Sequence, residues 1–449
     1  MIGHARLLGT LSKLVKRTKA DGVSIAAHAK VRRVFRFAYE AIHQDVLQET
    51  IDVTVKVLRE RRVGVASAET LTPDGLTRCV KAAMTIAQHS PVQADLPDLP
   101  SRHRIQFSDD YIAETARISP VACVASLKRL MQLCKGAGAT LAGSFVTGAD
   151  EFAVANSAGV ACYTASTVSG AKLVTMYRKL SGYVSGVHCD VTRLDLHDLL
   201  KRSLSQSLSQ EEPVTLPLGN YEVILEPEAV SELVTWLGYT AFGAKSVQER
   251  TSFMAGRMGE QLMAPELTIY DDGMESSSLR LPFDFEGTPK QRVTFIEKGQ
   301  ASGIVYDSLY GARFGHVSTG HAMPATETEG PFPLHLGIAS GTAKVSEMIR
   351  RCKRGLLIPR FHYVNGLLNP REALMTGLTR EGTFLIEHGK LSRPVTTMRF
   401  TQSLLESFRH VLGVSRERRL IADPSQELGC AIMPTLHLAS FAFTGRSET

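Results

Sequence analysis

No stretch of the 449-residue chain holds 18 consecutive apolar residues, so no segment reads as a membrane-spanning helix. Its seven cysteines are odd in number, lie far apart and form no C-x-x-C pair, which argues against both a disulfide framework and a zinc ribbon. There is no G-x-x-x-x-G-K-[ST] phosphate cradle; the nearest string, Gly243-Ala244-Lys245-Ser246, lacks the glycine beside the lysine. Gly136, Gly138 and Gly143 follow a helical pattern and precede a strand pattern, the reverse of the order a dinucleotide fingerprint needs. No G-x-S-x-G nucleophile elbow occurs. None of the 14 histidines is followed by glutamate, so no H-E-x-x-H zinc helix is present. Residues 1–20 lack the apolar core of a leader peptide. Leu7, Leu11, Leu14 and Val15 instead form one stripe among Arg6, Lys13, Lys16, Arg17 and Lys19, an amphipathic surface helix, and the expected compartment is the cytoplasm.

What is present describes a globular protein: hydrophobic residues make up 43% and charged residues 21%. The length calls for two or three domains. A formal net charge of +6 is concentrated at the front, where residues 1–62 hold 13 Lys/Arg against 6 Asp/Glu. Glu40, Asp45, Glu49 and Asp52 are interleaved with these cations and no aromatic stacking motif joins them. That favours a solvated charged face over a nucleic-acid footprint.

Pro91, Pro97 and Pro100 within 88–104, and a Ser/Gln/Leu tract running into Glu211-Glu212-Pro213 within 201–219, mark two boundaries. They divide the chain into an α+β module at 1–104, a second α+β module at 105–210 and a β-rich, barrel- or sandwich-like domain at 215–449. In the first, alternation predicts strands at 31–37 and 51–58, and Thr72-Pro73 opens a helix through Leu76, Val80, Ala83 and Ala87. In the second, Ser119-Pro120 leads into a helix over 121–134, with strands around 139–146, 151–156 and 162–177. The back domain carries two hairpin signals, 293–297 returning at 303–306 and 383–387 returning at 391–398. Their turns, Lys298-Gly299 and His388-Gly389, place glycine where a tight hairpin wants positive φ. Helices are expected there at 228–239 and 401–412. The fold class is therefore α+β.

Acidic pairs at Asp109-Asp110, Asp150-Glu151, Glu211-Glu212 and Asp271-Asp272 diverge on a strand or helix and read as turn and surface groups. His316, His321, His335, His362 and Cys430 could bind a metal only by converging in space.

The long-range order is more specific. Glu226-Pro227-Glu228-Ala229-Val230, Arg250-Thr251-Ser252-Phe253, Gly256-Arg257-Met258-Gly259-Glu260-Gln261, Asp271-Asp272-Gly273 and Phe283-Asp284 follow one another, then Glu286-Gly287, Ser318-Thr319-Gly320-His321-Ala322 and 382–389. This set resembles the TldD/PmbA family, the modulator-of-gyrase proteins, and 66–88 and 143–156 resemble its two front modules. The resemblance implies cytoplasmic zinc-dependent peptidases acting on small or unfolded polypeptides. Catalytic TldD-type members carry H-E-x-x-x-H on the helix before the Ser-Phe block, where this chain has Thr235-Trp236-Leu237-Gly238-Tyr239-Thr240. The likeness is thus to the TldE/PmbA-type subunit. It implies no catalytic or metal residues in this chain, with Thr235, Trp236 and Thr240 at the degenerate motif. Zinc is expected instead in a TldD-type catalytic subunit that pairs with this chain as a heterodimer, self-dimerisation being the other option, and small or unfolded peptides are the expected substrates. No membrane partner is expected. His316, His321, Arg360, His362 and Arg380 are the expected substrate-cavity residues. Two alternatives stay open: a self-sufficient metallopeptidase with ligands among His316, His321, His362 and Cys430, and a non-enzymatic protein binding a topoisomerase or nucleic acid through the basic front.

Overall fold

The computed structural model describes residues 1–209, 211–424 and 428–446. Helix α1 (His4–Arg17) buries Leu7, Leu11 and Val15 while Arg6, Lys13 and Lys16 face out, as the stripe requires. Strands β1 (Gly22–Ala38), β2 (Ala41–Arg59) and β3 (Arg62–Ala68) form a meander. Helix α2 (Pro73–His89) starts where Thr72 Oγ1 accepts a hydrogen bond from the Gly75 amide at 3.3 Å. Helices α3 (Ala113–Ala116) and α4 (Pro120–Gly136) lead into β4 (Thr140–Asn156), β5 (Ala161–Tyr177) and β6 (Leu180–His188). The six strands make one antiparallel sheet in the order β3-β2-β1-β4-β5-β6.

The modules expected at 1–104 and 105–210 therefore share a single sheet, joined by the long β1–β4 ladder from Ser24↔Asn156 to Phe37↔Gly143. Pairing on both sides also carries β4 unbroken across 147–150, where the sequence suggests a gap between two strands. The linker tract at 201–219 begins as helix α5 (Leu196–Ser207), whose first turn is capped by Asp195 accepting from the Asp198 amide at 2.9 Å.

Period-two alternation gives this sheet two unlike faces. Val23, Ile25, Ala27, Val53, Val55 and Val57 pack under α1 and α2, and Phe35, Phe37, Phe145 and Leu173 pack under α4 and α5. The opposite face presents Ala26, His28, Lys30, Asp52, Thr54 and Lys56 towards the rest of the chain.

The back half comprises β7 (Gly219–Leu225), α6 (Pro227–Ala241), α7 (Ala244–Gln248), β8 (Ile269–Asp271), β9 (Val293–Glu297), β10 (Gln300–Ala301), α8 (Ser308–Phe314) and β11 (His335–Ile338). Then come α9 (Val345–Arg351), β12 (Arg354–Ile358), β13 (Phe361–Asn369), β14 (Leu374–Thr379), β15 (Phe384–Glu387) and β16 (Lys390–Pro394). Strand β17 (Met398–Ser403), α10 (Leu404–Phe408), β18 (Val411–Ile421) and β19 (Cys430–Arg446) complete it. Its 13 strands form one mixed sheet whose main path runs β10-β9-β8-β11-β19-β7-β12-β15-β16, an open sheet and not the closed barrel that was one option from sequence.

Both expected turns are present, with φ of 48° and 81° at Lys298-Gly299 and 52° and 76° at His388-Gly389. The first hairpin returns through only Gln300–Ala301, earlier than expected. The helix expected over 401–412 shrinks to the five residues of α10, because Thr401 and Gln402 pair with β14 and the chain from Val411 pairs with β19. Tertiary pairing overrides local propensity there. The core sits around α6, whose Val230, Leu233, Val234, Leu237 and Ala241 pack with Val223, Leu225, Leu436 and Leu438 of the sheet.

Candidate functional site

The helix-free face of the first sheet is pinned to the back domain by aromatic and ionic contacts. Phe152 stacks on Phe283 at 5.2 Å between centroids and meets Phe285 at 4.7 Å. Arg280 Nε bonds both oxygens of the buried Asp110 carboxylate at 3.0 and 2.9 Å, and Lys56 reaches Glu286 at 3.2 Å. Beside these contacts the two halves part into a cleft. One compartment has a volume of about 570 Å³ and lies between His28, Lys30, Asp52 and Thr54 of the sheet and Tyr239, Phe285, Met323, Pro324, Glu327, Glu329 and Phe332 of the back domain. A second, of about 210 Å³, shares Ala26, Thr54, Phe285, Met323, Pro324 and Glu327 with it and ends at Lys56, Glu286 and Asp307. The walls mix apolar side chains such as Phe285, Met323, Pro324 and Phe332 with charged ones such as Lys30, Asp52, Glu286 and Glu327.

Glu286 and Asp307 at the end of the second compartment stand near the buried Asp284. Burial pushes Asp307 up to about 6, with the Glu286 charge adding to it, and burial next to the same glutamate pushes Asp284 up to about 7. Both are also structural: Asp307 Oδ1 caps α8 by accepting from the Tyr310 amide at 2.7 Å, and Asp284 accepts from the amides of Glu286, Thr288 and Ala322.

Helix α6 brings the 235–240 turn, through Tyr239, to the edge of this cleft. Trp236 is half-buried and lies over Gly366, where a β-carbon would come within 2.8 Å of its ring. Its ring meets Tyr239 edge-on at 5.8 Å, and Tyr239 meets Phe332 at 6.1 Å. Thr240 is buried and donates its hydroxyl to the Trp236 carbonyl at 2.8 Å; Thr235 is exposed. Zinc needs imidazole nitrogen, thiolate or carboxylate. The indole offers only a donor, both hydroxyls are neutral, and burial together with Glu329 pushes the Tyr239 phenol up. The side chains of this turn do not fit a zinc ion.

The five expected cavity residues are dispersed, and none lines either compartment. His316 is exposed beside Tyr306 at 5.1 Å. His321 is fully buried, with Nε2 bonded to Asp271 at 2.9 Å and Nδ1 to Thr319. Asp271 also pairs with the buried Lys290 at 3.7 Å and accepts from the His335 amide at 2.6 Å, an internal polar knot. Arg360, His362 and Arg380 do come together, around Glu381: Arg360 bonds Glu381 at 2.7 Å and lies 4.0 Å over the Tyr183 ring, and Arg380 bonds Glu381 at 3.3 Å. Burial, Arg360 and Arg380 all lower the His362 imidazole. Arg380 and Glu381 border a separate hollow of about 350 Å³. His316, His321, His362 and Cys430, all among the described residues, do not converge on a common point. The cleft-lining His28, Lys30, Asp52, Thr54 and Lys56 went unmarked in the sequence, although their signal was there. They are the alternate polar positions of two strands whose other positions are apolar.

An α+β chain with a peptide-sized cleft between a helix-backed sheet and an open mixed sheet defines the class, and comparison supplies the family. Residues 218–445, just over half of the chain, match the family model of the PmbA/TldA metallopeptidase C-terminal domain, and the chain belongs to the PmbA/TldD family. Metalloprotease PmbA of Escherichia coli O157:H7 is 23% identical over 449 aligned residues, covering 94% of this chain and 93% of that one. A TldD homologue of Haemophilus influenzae is 27% identical over 237 residues, 52% of this chain but only 47% of its own length. The crystal structure of TldE from Thermococcus kodakarensis superposes with a TM-score of 0.87 at 20% identity, covering 98% of this chain and 99% of that one.

Proposed function

We propose that this chain is a non-catalytic TldE/PmbA-like subunit that pairs with a TldD-type zinc metallopeptidase and helps it hold small or unfolded peptides. The observation that carries the reading is the aromatic turn of α6 at Trp236, Tyr239 and Thr240, which offers no imidazole, thiolate or carboxylate. Water activation by zinc needs ligands that this turn does not provide, so the zinc belongs to the partner. The cleft offers the complementary half of the chemistry, because Phe285 and Phe332 present apolar surface to a peptide, and the Lys30–Asp52 and Lys56–Glu286 pairs with Glu327 and Glu329 present polar partners to it.

Two features favour this over a nucleic-acid role. Arg33 is held bidentately by Asp45 at 2.8 and 2.7 Å, and Lys30 lies 3.7 Å from Asp52, so the basic front is partly neutralised by its own carboxylates. No helix among the described residues is long and apolar enough to cross a membrane.

Co-expression with a TldD-type protein bearing H-E-x-x-x-H tests the proposal. The expected result is a discrete complex that co-elutes, contains zinc bound to the partner and cleaves unfolded peptides, while this chain alone cleaves nothing. Cleavage by the isolated chain that survives further purification, or failure of the two proteins to co-elute, refutes it.

A further inference from the structure

A second constellation lies on the far side of the back sheet from α6. Strand alternation sends Val223 and Leu225 of β7, and Leu436 and Leu438 of β19, towards α6. Glu222 and His437 therefore point to the opposite face, where Ile224 packs with Met348 and Cys352 at the end of α9. His437 Nε2 lies 2.6 Å from Glu222 Oε1, and the donor atoms of Glu222, His437 and Cys352 all lie within 4.8 Å of one another, the one such trio among the described residues.

The backbone holds the thiol in place. Cys352 closes α9 with its amide bonded to the Met348 carbonyl at 3.1 Å, and its own carbonyl accepts from the Gly389 amide at 3.0 Å. Gly355 on β12 leaves the room: a β-carbon there would lie 2.6 Å from Cys352 Sγ. His437 and Cys352 are buried, whereas the Glu222 side chain keeps 25% of its surface exposed, so an entry path and a position for water open on its side.

We infer that Glu222, Cys352 and His437 form a binding site for a borderline-soft divalent cation of the zinc class, with a fourth position open to water. Thiolate, imidazole and carboxylate are the three ligand types zinc takes, at about 2.0–2.3 Å, which puts tetrahedral neighbours roughly 3.3–3.8 Å apart. Reaching that spacing takes a small opening of the His437–Glu222 contact and an adjustment of the Cys352 thiol, which lies within 4.8 Å of both other ligand atoms. On binding, the thiol proton leaves for solvent, and His437 presents the Nε2 lone pair with its proton on Nδ1. The site goes beyond the partner-subunit reading and is independent of it: it lies on the other face of the sheet from the degenerate turn and would anchor α9 to β7 and β19.

Cobalt(II), the spectroscopic stand-in for zinc, tests the assignment on the full chain, stripped with chelator and kept reduced. One equivalent is expected to bind with a thiolate-to-cobalt charge-transfer band and to be displaced by zinc. The band is expected to disappear in Cys352→Ser and to persist in Cys189→Ser, whose thiol is partly exposed beside His188. Glu222→Gln and His437→Gln are each expected to weaken cobalt binding at least tenfold. Absence of the band in the folded wild-type chain overturns the assignment, as does its survival in Cys352→Ser. Should Cys352→Ser fail to fold, the titrations decide: affinities within twofold of wild type in both Glu222→Gln and His437→Gln overturn it. Peptidase activity and partner binding enter none of these readouts.

Discussion

Replacing Asp271 by asparagine removes the one anion from a fully buried knot that also contains Lys290, His321 and His335. The new side-chain amide can still accept from the His335 amide, but Lys290 Nζ, which has no hydrogen-bond partner among the described residues, loses the charge 3.7 Å away that offsets its burial. At an effective dielectric of about 20 that attraction is worth roughly 4.5 kcal/mol, and breaking one side of a buried pair typically costs about 3–5 kcal/mol. Asp271→Asn is therefore expected to lower stability by about 3–5 kcal/mol. Urea unfolding followed by fluorescence of Trp236, the only tryptophan and a member of the same domain, measures it directly. Adding Lys290→Met removes the stranded ammonium, and the double variant should regain at least about 2 kcal/mol. Burial alone would raise the Asp271 carboxyl, yet Lys290 and His321 hold it well below the ordinary range. Its contribution is thus fully present above about pH 4 and is lost as pH falls further, so the acid limb of the stability profile should flatten in Asp271→Asn. A single variant that loses less than about 1 kcal/mol, or a double variant no more stable than the single, would refute the reasoning.

Asp307→Asn keeps a cap on α8 and removes a carboxyl that burial and Glu286 raise to about 6. The wild-type group favours folding at acid pH and loses that advantage as pH rises through about 6, so the variant should gain roughly 1–3 kcal/mol relative to wild type between pH 4 and 8. Equal urea midpoints at both pH values would show the shift to be absent. Arg280→Ala leaves the buried Asp110 without its partner and loosens the contact between the two halves, at about 3 kcal/mol. Lower thermal stability together with faster tryptic cleavage is the expected signature, and unchanged values of both count against the ionic clamp.

The legible parts of the fold are those where a local rule meets no competitor. Thr72-Pro73 reads as a helix start and is one, and the Lys298-Gly299 and His388-Gly389 turns read as tight hairpins and adopt positive φ. The 401–412 segment misled because a helical pattern there is outweighed by ladders to β14 and β19, which no local window contains. The joining of the two front stretches in one sheet is hidden for a similar reason. Polar, proline-rich 88–104 has the composition of a linker, but pairing of β1 with β4 spans it and unites both modules. The cleft was half-visible, as alternate polar residues on β1 and β2. Its other wall, Tyr239, Phe285 and Phe332, comes from separate loops and a helix and carries no shared pattern. Glu222, Cys352 and His437 are illegible in principle, since two strands and a helix end, more than 80 residues apart, bring them together.

The fold does not depend on what occupies the outward turn of α6. Val230, Leu233, Val234, Leu237 and Ala241 follow helical spacing and carry the contact with the sheet, whereas Thr235 and Tyr239 are exposed and Trp236 is half-buried. Chemistry can therefore be exchanged there at limited structural cost. Installing the catalytic pattern as Thr235→His, Trp236→Glu and Thr240→His gives up the indole packing over Gly366 and crowds the buried position 240. The first loss stays below the about 3–5 kcal/mol of a fully buried Trp→Ala change, and the second adds about 1–3 kcal/mol of overpacking. The triple variant should fold, with a β-rich circular dichroism spectrum and a depressed melting temperature. If it does not fold at 25 °C, Trp236 and Thr240 are core residues in their own right, and the absence of ligands in this turn reflects a packing requirement of this chain and not a division of labour with a catalytic partner.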